Sequence, residues 1–153
     1  VIKNRKVFNG KNVIQLEAAA GSAIQSFTDS ISVKVPRRRF LPVKSCNELL
    51  LMRSDLYQRV DSEFLLNPAR GNDVLPSLKL SSFYTKVQDF EPRFQYPPSI
   101  VHLNKLVVEG DVTFGKNITL EGDVEFKCPE GEKWSVPDGK TYKDTVITSQ
   151  ANL

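Results

Sequence analysis

Histidine, cysteine, methionine and tryptophan are almost missing from this chain: 153 residues hold one, two, one and one of them. Cys46 and Cys128 stand in unlike contexts without metal-ligand spacing, and His102 is alone, so neither a zinc centre nor a disulfide framework is encoded. Free thiols of this kind fit a reducing cytoplasm. No apolar run approaches the roughly 18 residues of a membrane-crossing helix, and no signal peptide is read at the N-terminus. No glycine-rich phosphate loop and no base-stacking pattern occurs, so neither a nucleotide cradle nor a nucleic-acid surface is read from these residues. Disorder is not expected, because 40% apolar and 25% charged residues is ordinary globular composition.

What the chain does contain is a repeat. Ile100, Leu106, Val112, Ile118 and Val124 recur every six residues, and His102, Val108, Phe114, Leu120 and Phe126 come two places behind in the same step. Each unit ends in residues suited to a corner, among them Gly110, Asn117 and Gly122, which tolerate positive φ. A short strand followed by a corner is the unit of a left-handed parallel β-helix, so residues 98–153 are expected to form a short one. Five clear units are under two turns of a three-sided coil. Such a stack needs a cap, a neighbouring domain or a partner subunit, and residues 98–153 therefore also suggest homo-oligomerisation. Asn117-Ile118-Thr119 reads as a corner rather than as a glycosylation acceptor.

Before the repeat, Val7–Leu16 reads as two β-rich runs around Asn9-Gly10, a hairpin signal. Leu16, Ala20, Ala23, Ile24, Phe27 and Ile31 then fall at helical spacing, which predicts an amphipathic helix from Glu17 to about Ser30, with Gly21 costing roughly 1 kcal/mol of propensity. Pro36 and Pro42 punctuate an extended segment. Ser45 and Glu48 make a capping box for a helix with Leu49, Met52 and Leu56 inside. Val60–Leu80 is turn-rich and weakly apolar, the best linker candidate. Ser81 could start a third helix carrying Phe83, Val87, Phe90 and Phe94, which Pro92 must kink or end. Past Pro129 the repeat loses step, resumes at Val136 and Tyr142, and gives way to a polar tail from Val146.

Charge is unevenly placed. Residues 1–60 carry eleven basic and four acidic groups, residues 61–153 ten and fourteen. The dense cationic feature is Arg37-Arg38-Arg39, between Pro36 and Pro42, with Lys44 just past the second proline; a stiffened loop can aim cations at a phosphate, although a solvated loop is the commoner fate of a basic run. His102 sits at a repeat position and reads as structural. That weakens the hexapeptide acyltransferase alternative, which needs a histidine base. The chain begins at Val1 rather than Met, as a piece of something larger would.

VIQLEAAAGSAI (Val13–Ile24), VPRRRFLPVK (Val35–Lys44) with SCNELLLMRSDLY after it, FYTKVQDFEPRF (Phe83–Phe94) and VVEGDVTFGKNITL (Val107–Leu120) lie in one order along nearly the whole chain. Together they resemble the C-terminal part of the eukaryotic UDP-glucose pyrophosphorylases. The resemblance implies the α+β tail of an α/β nucleotidyltransferase domain (residues 1–60), a linker with a helix (61–97) and the β-helix (98–153). It also implies a reaction of UTP with glucose 1-phosphate, giving UDP-glucose and pyrophosphate with Mg²⁺ held outside this chain. By the same resemblance Lys44 is the lysine that reaches the sugar phosphate and α-phosphate, and Arg37 and Arg39 are its flanking basic pair. Since the family's glycine-rich nucleotide loop is absent here, the residues alone are expected to be inactive. No membrane and no nucleic acid is expected as a partner, and a non-catalytic assembly module is the main alternative.

Overall fold

The computed structural model describes residues Val1–Leu153, and the chain divides into two compact units, Val1–Val35 and Pro36–Leu153. In the first unit β1 (Ile2–Phe8) pairs antiparallel with β2 (Lys11–Glu17), Phe8 facing Lys11 across a tight turn. Asn9 and Gly10 hold that turn at φ 49° and 72°, the conformation expected of this dipeptide. The amphipathic helix expected over 17–30 does not form. A 3₁₀ helix, Ala20–Ser26, stands there instead. Its apolar residue Ile24 and the nearby Phe27 and Ile31 are exposed, and no residue of this unit is buried, so nothing offsets the cost of helix nucleation or the propensity lost at Gly21.

The second unit's first α-helix is α1 (Cys46–Arg53), and the expected capping box is present. The Asn47 N–H donates to Ser45 Oγ at 3.2 Å, and the Ser45 N–H donates to Glu48 Oε2 at 2.8 Å. The Ser45 hydroxyl, more than any other group, holds the Glu48 carboxyl below the ordinary carboxylate range. Ser45→Ala is expected to cost about 1 kcal/mol at neutral pH by urea denaturation. Because the folded-state pKa of Glu48 is depressed, its contribution is full above the unfolded value and is lost as pH falls toward the folded one. The penalty of Ser45→Ala should therefore shrink in acid. A pH-independent penalty would remove Glu48 from the cap.

An antiparallel hairpin comes next, β3 (Tyr57–Val60) with β4 (Glu63–Leu66), turning at Asp61 with φ 53°. Then come β5 (Ser77–Leu80) and α2 (Val87–Arg93). Pro92 lies in the last turn of α2, which ends one residue later, so proline terminates the helix instead of kinking a longer one. Ser81 precedes a 3₁₀ turn, Ser82–Tyr84, without a side-chain cap. The remaining strands are β6 (Leu103–Glu109), β7 (Asp111–Phe114), β8 (Thr119–Lys127), β9 (Lys133–Val136) and β10 (Thr141–Ile147). Four strands form a parallel sheet in the order β10-β8-β6-β5, with Leu78, Leu106 and Val124 in register, while β7 and β9 pair parallel by themselves.

This arrangement corrects the expected β-helix. A three-sided prism needs three matching parallel faces of short strands; here the sheets are unequal, and beyond them stands only an isolated bridge, Ser99 with Thr119. The physical reason lies at the corners. Gly110 turns the chain between β6 and β7, but Gly122, at φ 63°, sits inside the nine-residue β8. There the corner is absorbed as an irregularity: pairing slips between Leu103 and Lys105 opposite it, and again between Lys143 and Thr145 on β10. The same slip moves Leu103 into the interior and leaves His102 exposed, against its expected place in the repeat.

The period of six nonetheless decides what is buried. Ile100, Leu106, Val112, Ile118 and Val124 are all interior, as are Val108, Phe114, Leu120 and Phe126. Aromatic rings join in an unbroken series from the 3₁₀ turn past α2 and β7 to β8 and β10: Tyr84 to Phe94 at 5.5 Å, Phe94 to Phe114 at 4.6 Å, Phe114 to Phe126 at 5.1 Å and Phe126 to Tyr142 at 5.2 Å between centroids. Two polar devices hold the irregular segments to this core. Buried Arg70 donates to the carbonyls of Val74, Val101 and Leu103. Arg93 donates to Asp111 Oδ1 at 2.7 Å and lies over the Phe83 ring. The Tyr84 hydroxyl both donates to and accepts from the backbone of Val112, and burial pushes its pKa well above the ordinary phenol value. Cys46 and Cys128 are buried free thiols, each raised in pKa by burial.

Candidate functional site

Two prolines shape the cationic segment. Pro36, at φ −56° and ψ 139°, leads into a 3₁₀ turn, Arg37–Arg39, closed by the Arg39 N–H to the Pro36 carbonyl and the Phe40 N–H to the Arg37 carbonyl, each at 3.0 Å. Of the three successive arginines on this tight turn, one points apart and two converge on a single carboxylate. Arg37 lies over the Phe40 ring, 4.5 Å from its centroid. Arg38 meets Glu63 on β4 at 3.2 Å, and Arg39 meets the other oxygen of the same carboxylate at 3.8 Å. Lys44 is exposed, next to the N-cap of α1, and makes no ion pair.

Beside the turn lies a cavity of about 880 Å³. Arg37, Arg38, Glu48 and Asp73 contribute its charged groups, and Leu41, Leu51, Met52, Tyr57, Phe64 and Leu75 much of its apolar lining. Of the residues singled out from sequence, Arg37 reaches this cavity; Arg39 and Lys44 do not line it. Glu63 carries no signal in the sequence. It lies 25 residues from Arg38 in a turn-rich stretch, and no local pattern marks a carboxylate that will meet a distant arginine.

No group of three or more histidine, cysteine, aspartate or glutamate side chains comes together. No helix is long and apolar enough to cross a membrane. What the turn offers chemically is fixed positive charge with one built-in competitor. Exposed ion pairs of this kind are worth about 0.2–1 kcal/mol each, so a phosphate can displace Glu63. Glu63→Gln is expected to strengthen pyrophosphate binding about threefold in calorimetric titrations at low salt, with the gain fading at high salt. Equal binding by the two proteins would mean that Glu63 does not compete.

Comparison with known proteins agrees along the whole chain. A family model described as UTP–glucose-1-phosphate uridylyltransferase matches residues 1–121. The UTP–glucose-1-phosphate uridylyltransferases of Solanum tuberosum and Hordeum vulgare are 46% and 43% identical over 154 and 153 residues, covering 100% of this chain and 32% of each relative. Among solved structures, the UDP-glucose pyrophosphorylase of Leishmania major, described in open and closed structures, superposes with a TM-score of 0.73 at 34% identity, over 95% of this chain and 32% of that one. A UDP-glucose phosphorylase from Trypanosoma brucei gives 0.73 at 33% identity, over 95% of this chain and 33% of that one. The chain thus spans about a third of the length of the relatives it matches. By the match of its residues 1–121 and its identity to these enzymes, the chain belongs to the UTP–glucose-1-phosphate uridylyltransferases, a family of nucleotidyltransferases.

Proposed function

We propose that this chain is the C-terminal part of an enzyme that joins UTP and glucose 1-phosphate into UDP-glucose and pyrophosphate, with residues 1–60 completing the catalytic domain, 61–97 linking and 98–153 serving assembly. The observation that carries the reading is similarity over the whole length of the chain to UTP–glucose-1-phosphate uridylyltransferases. In such a reaction a sugar-phosphate oxygen attacks the α-phosphorus of UTP in line and the bond to the β-phosphate oxygen breaks, releasing pyrophosphate. The protein's task is to hold the two phosphates together and to meet the charge that develops. Lys44 is the group proposed to reach both phosphates. Arg37 and Arg39 flank it, and Arg39 is released to do so when a phosphate replaces Glu63. Mg²⁺ would be held by residues outside this chain.

A role for residues 98–153 in homo-oligomerisation is supported by the parallel sheet, whose edge strand within this segment, β10, is paired on one side only. One assay tests the main reading. The chain is joined to the remaining two thirds of the potato relative, and UDP-glucose formation from UTP and glucose 1-phosphate is measured with the 153-residue chain as control. Activity in the joined protein and none in the control is expected. An inactive but folded fusion counts against the reading and leaves the assembly module standing.

A further inference from the structure

A second cavity, of about 680 Å³, lies among the end of α1, the Tyr96–Ser99 segment and the Lys116–Thr119 corner. It shares no residue with the arginine turn or Lys44, so its binding chemistry is independent of theirs. Its side chains are largely uncommitted. Lys116 has no carboxylate partner and rests with Nζ 4.8 Å from the Tyr96 ring centroid. Arg53 lies over the Phe90 ring, 5.8 Å from its centroid, and its carboxylate neighbour Glu91 is 4.0 Å away, at the outer limit of an ion pair, so it is weakly held and must turn to meet a ligand. Asp55 accepts from the Ile100 N–H through Oδ1 at 2.8 Å, which leaves its second oxygen free. The hydroxyls of Ser99 and Thr119 also face no intramolecular partner, whereas Ser54 is taken by the backbone.

Two cations call for an anion, yet a carboxylate among them repels a bare one. A ligand that satisfies both carries a phosphate at one end and hydroxyl donors at the other, with a body that can lie on Tyr96 and Pro97. We propose that this groove binds a sugar phosphate, its phosphate against Lys116 and Arg53 and its hydroxyls on Asp55, Ser99 and Thr119. Charge-assisted hydrogen bonds supply the affinity, and the carboxylate supplies selection against inorganic phosphate.

The test is an amide-resolved NMR titration of the 153-residue chain with glucose 6-phosphate, with glucose and inorganic phosphate as separate arms. The expected result is movement of the Ser99, Lys116, Asn117 and Thr119 amides by glucose 6-phosphate, with each half-ligand binding about tenfold more weakly or worse. Lys116→Ala keeps the backbone N–H that donates to Asp138 at 2.8 Å, so the corner survives, and it should weaken binding about tenfold. Ser99→Ala should weaken it less. Absence of binding, equal binding of inorganic phosphate, or indifference to Lys116→Ala overturns the proposal. Movement confined to residues 37–44 also overturns it, while supporting phosphate recognition by the arginine turn.

Discussion

Replacing Phe114 by alanine is expected to remove about 3–5 kcal/mol of stability from the second unit, a large part of what a domain of this size has. Phe114 is 2% exposed, stacks on Phe94 with 11° between the ring planes, and meets Phe126 edge-on at 82°. It is the ring that joins the end of α2 on one side to β8 on the other. Truncation loses the transfer of a whole aromatic side chain and two ring–ring contacts, and leaves a cavity that rigid strands cannot collapse around. In urea the midpoint should fall while the slope stays the same, since the surface exposed on unfolding is unchanged. Phe83→Ala is the contrast: that ring is 43% exposed and its one special contact is with Arg93, so a loss below about 1.5 kcal/mol is expected. Equal losses for the two substitutions would mean that the ring series is not the mechanical centre of the unit.

The burial of Phe114 is legible in the amino-acid sequence alone, and the reason is physical. A side chain repeated at a fixed step on a chain that turns at a fixed step keeps returning to the same side, whatever sheets the turns produce. Burial is therefore legible over residues 100–126. Strand partnership is not, because it depends on where each corner interrupts the ladder. Gly110 interrupts it and Gly122 does not, although the two residues look alike in sequence. His102 is the clearest case: a one-residue slip in pairing exchanges it with Leu103 and flips which of the two is interior.

Propensity fails where context is missing. The stripe Ala20, Ile24, Phe27, Ile31 has helical spacing, but an amphipathic face stabilises a helix only when something covers it, and in the first unit nothing does. α1 forms as expected because its start is written locally, in Ser45 and Glu48, but the residues it buries are Cys46 and Leu50; the expected Leu49 and Met52 are half-buried and Leu56 lies past its end. The polar devices are the least legible. Arg70 and Arg93 look like any surface arginine in sequence, yet each satisfies carbonyls or a carboxylate in the interior. The same holds for the arginine turn. Its density of charge is visible in the sequence, while its dependence on Glu63 is not.

Lys44→Ala, made in the joined full-length protein, is the substitution expected to have the largest effect on turnover. Lys44 is exposed and has no ion pair, so its loss should change stability by less than about 0.5 kcal/mol. A cation that does nothing for the fold, on a segment stiffened by two prolines and anchored to a capped helix, is suited to meeting charge that arises during reaction. Removing such a group from a transferring phosphate typically costs about a hundredfold or more in kcat, with much less effect on ground-state binding. The expected pattern is a large fall in kcat, a change of less than about threefold in the dissociation constant for UTP, and an unshifted urea midpoint. Lys44→Arg should restore little, because a planar fork does not replace a compact ammonium in the proposed role of meeting two phosphates at once. The pattern separates Lys44 from Arg38, whose truncation leaves Glu63 to Arg39 alone and should act first on phosphate affinity. A Lys44→Ala enzyme with kcat within about threefold of the parent would take Lys44 out of the mechanism and leave the arginine turn as a binding element only.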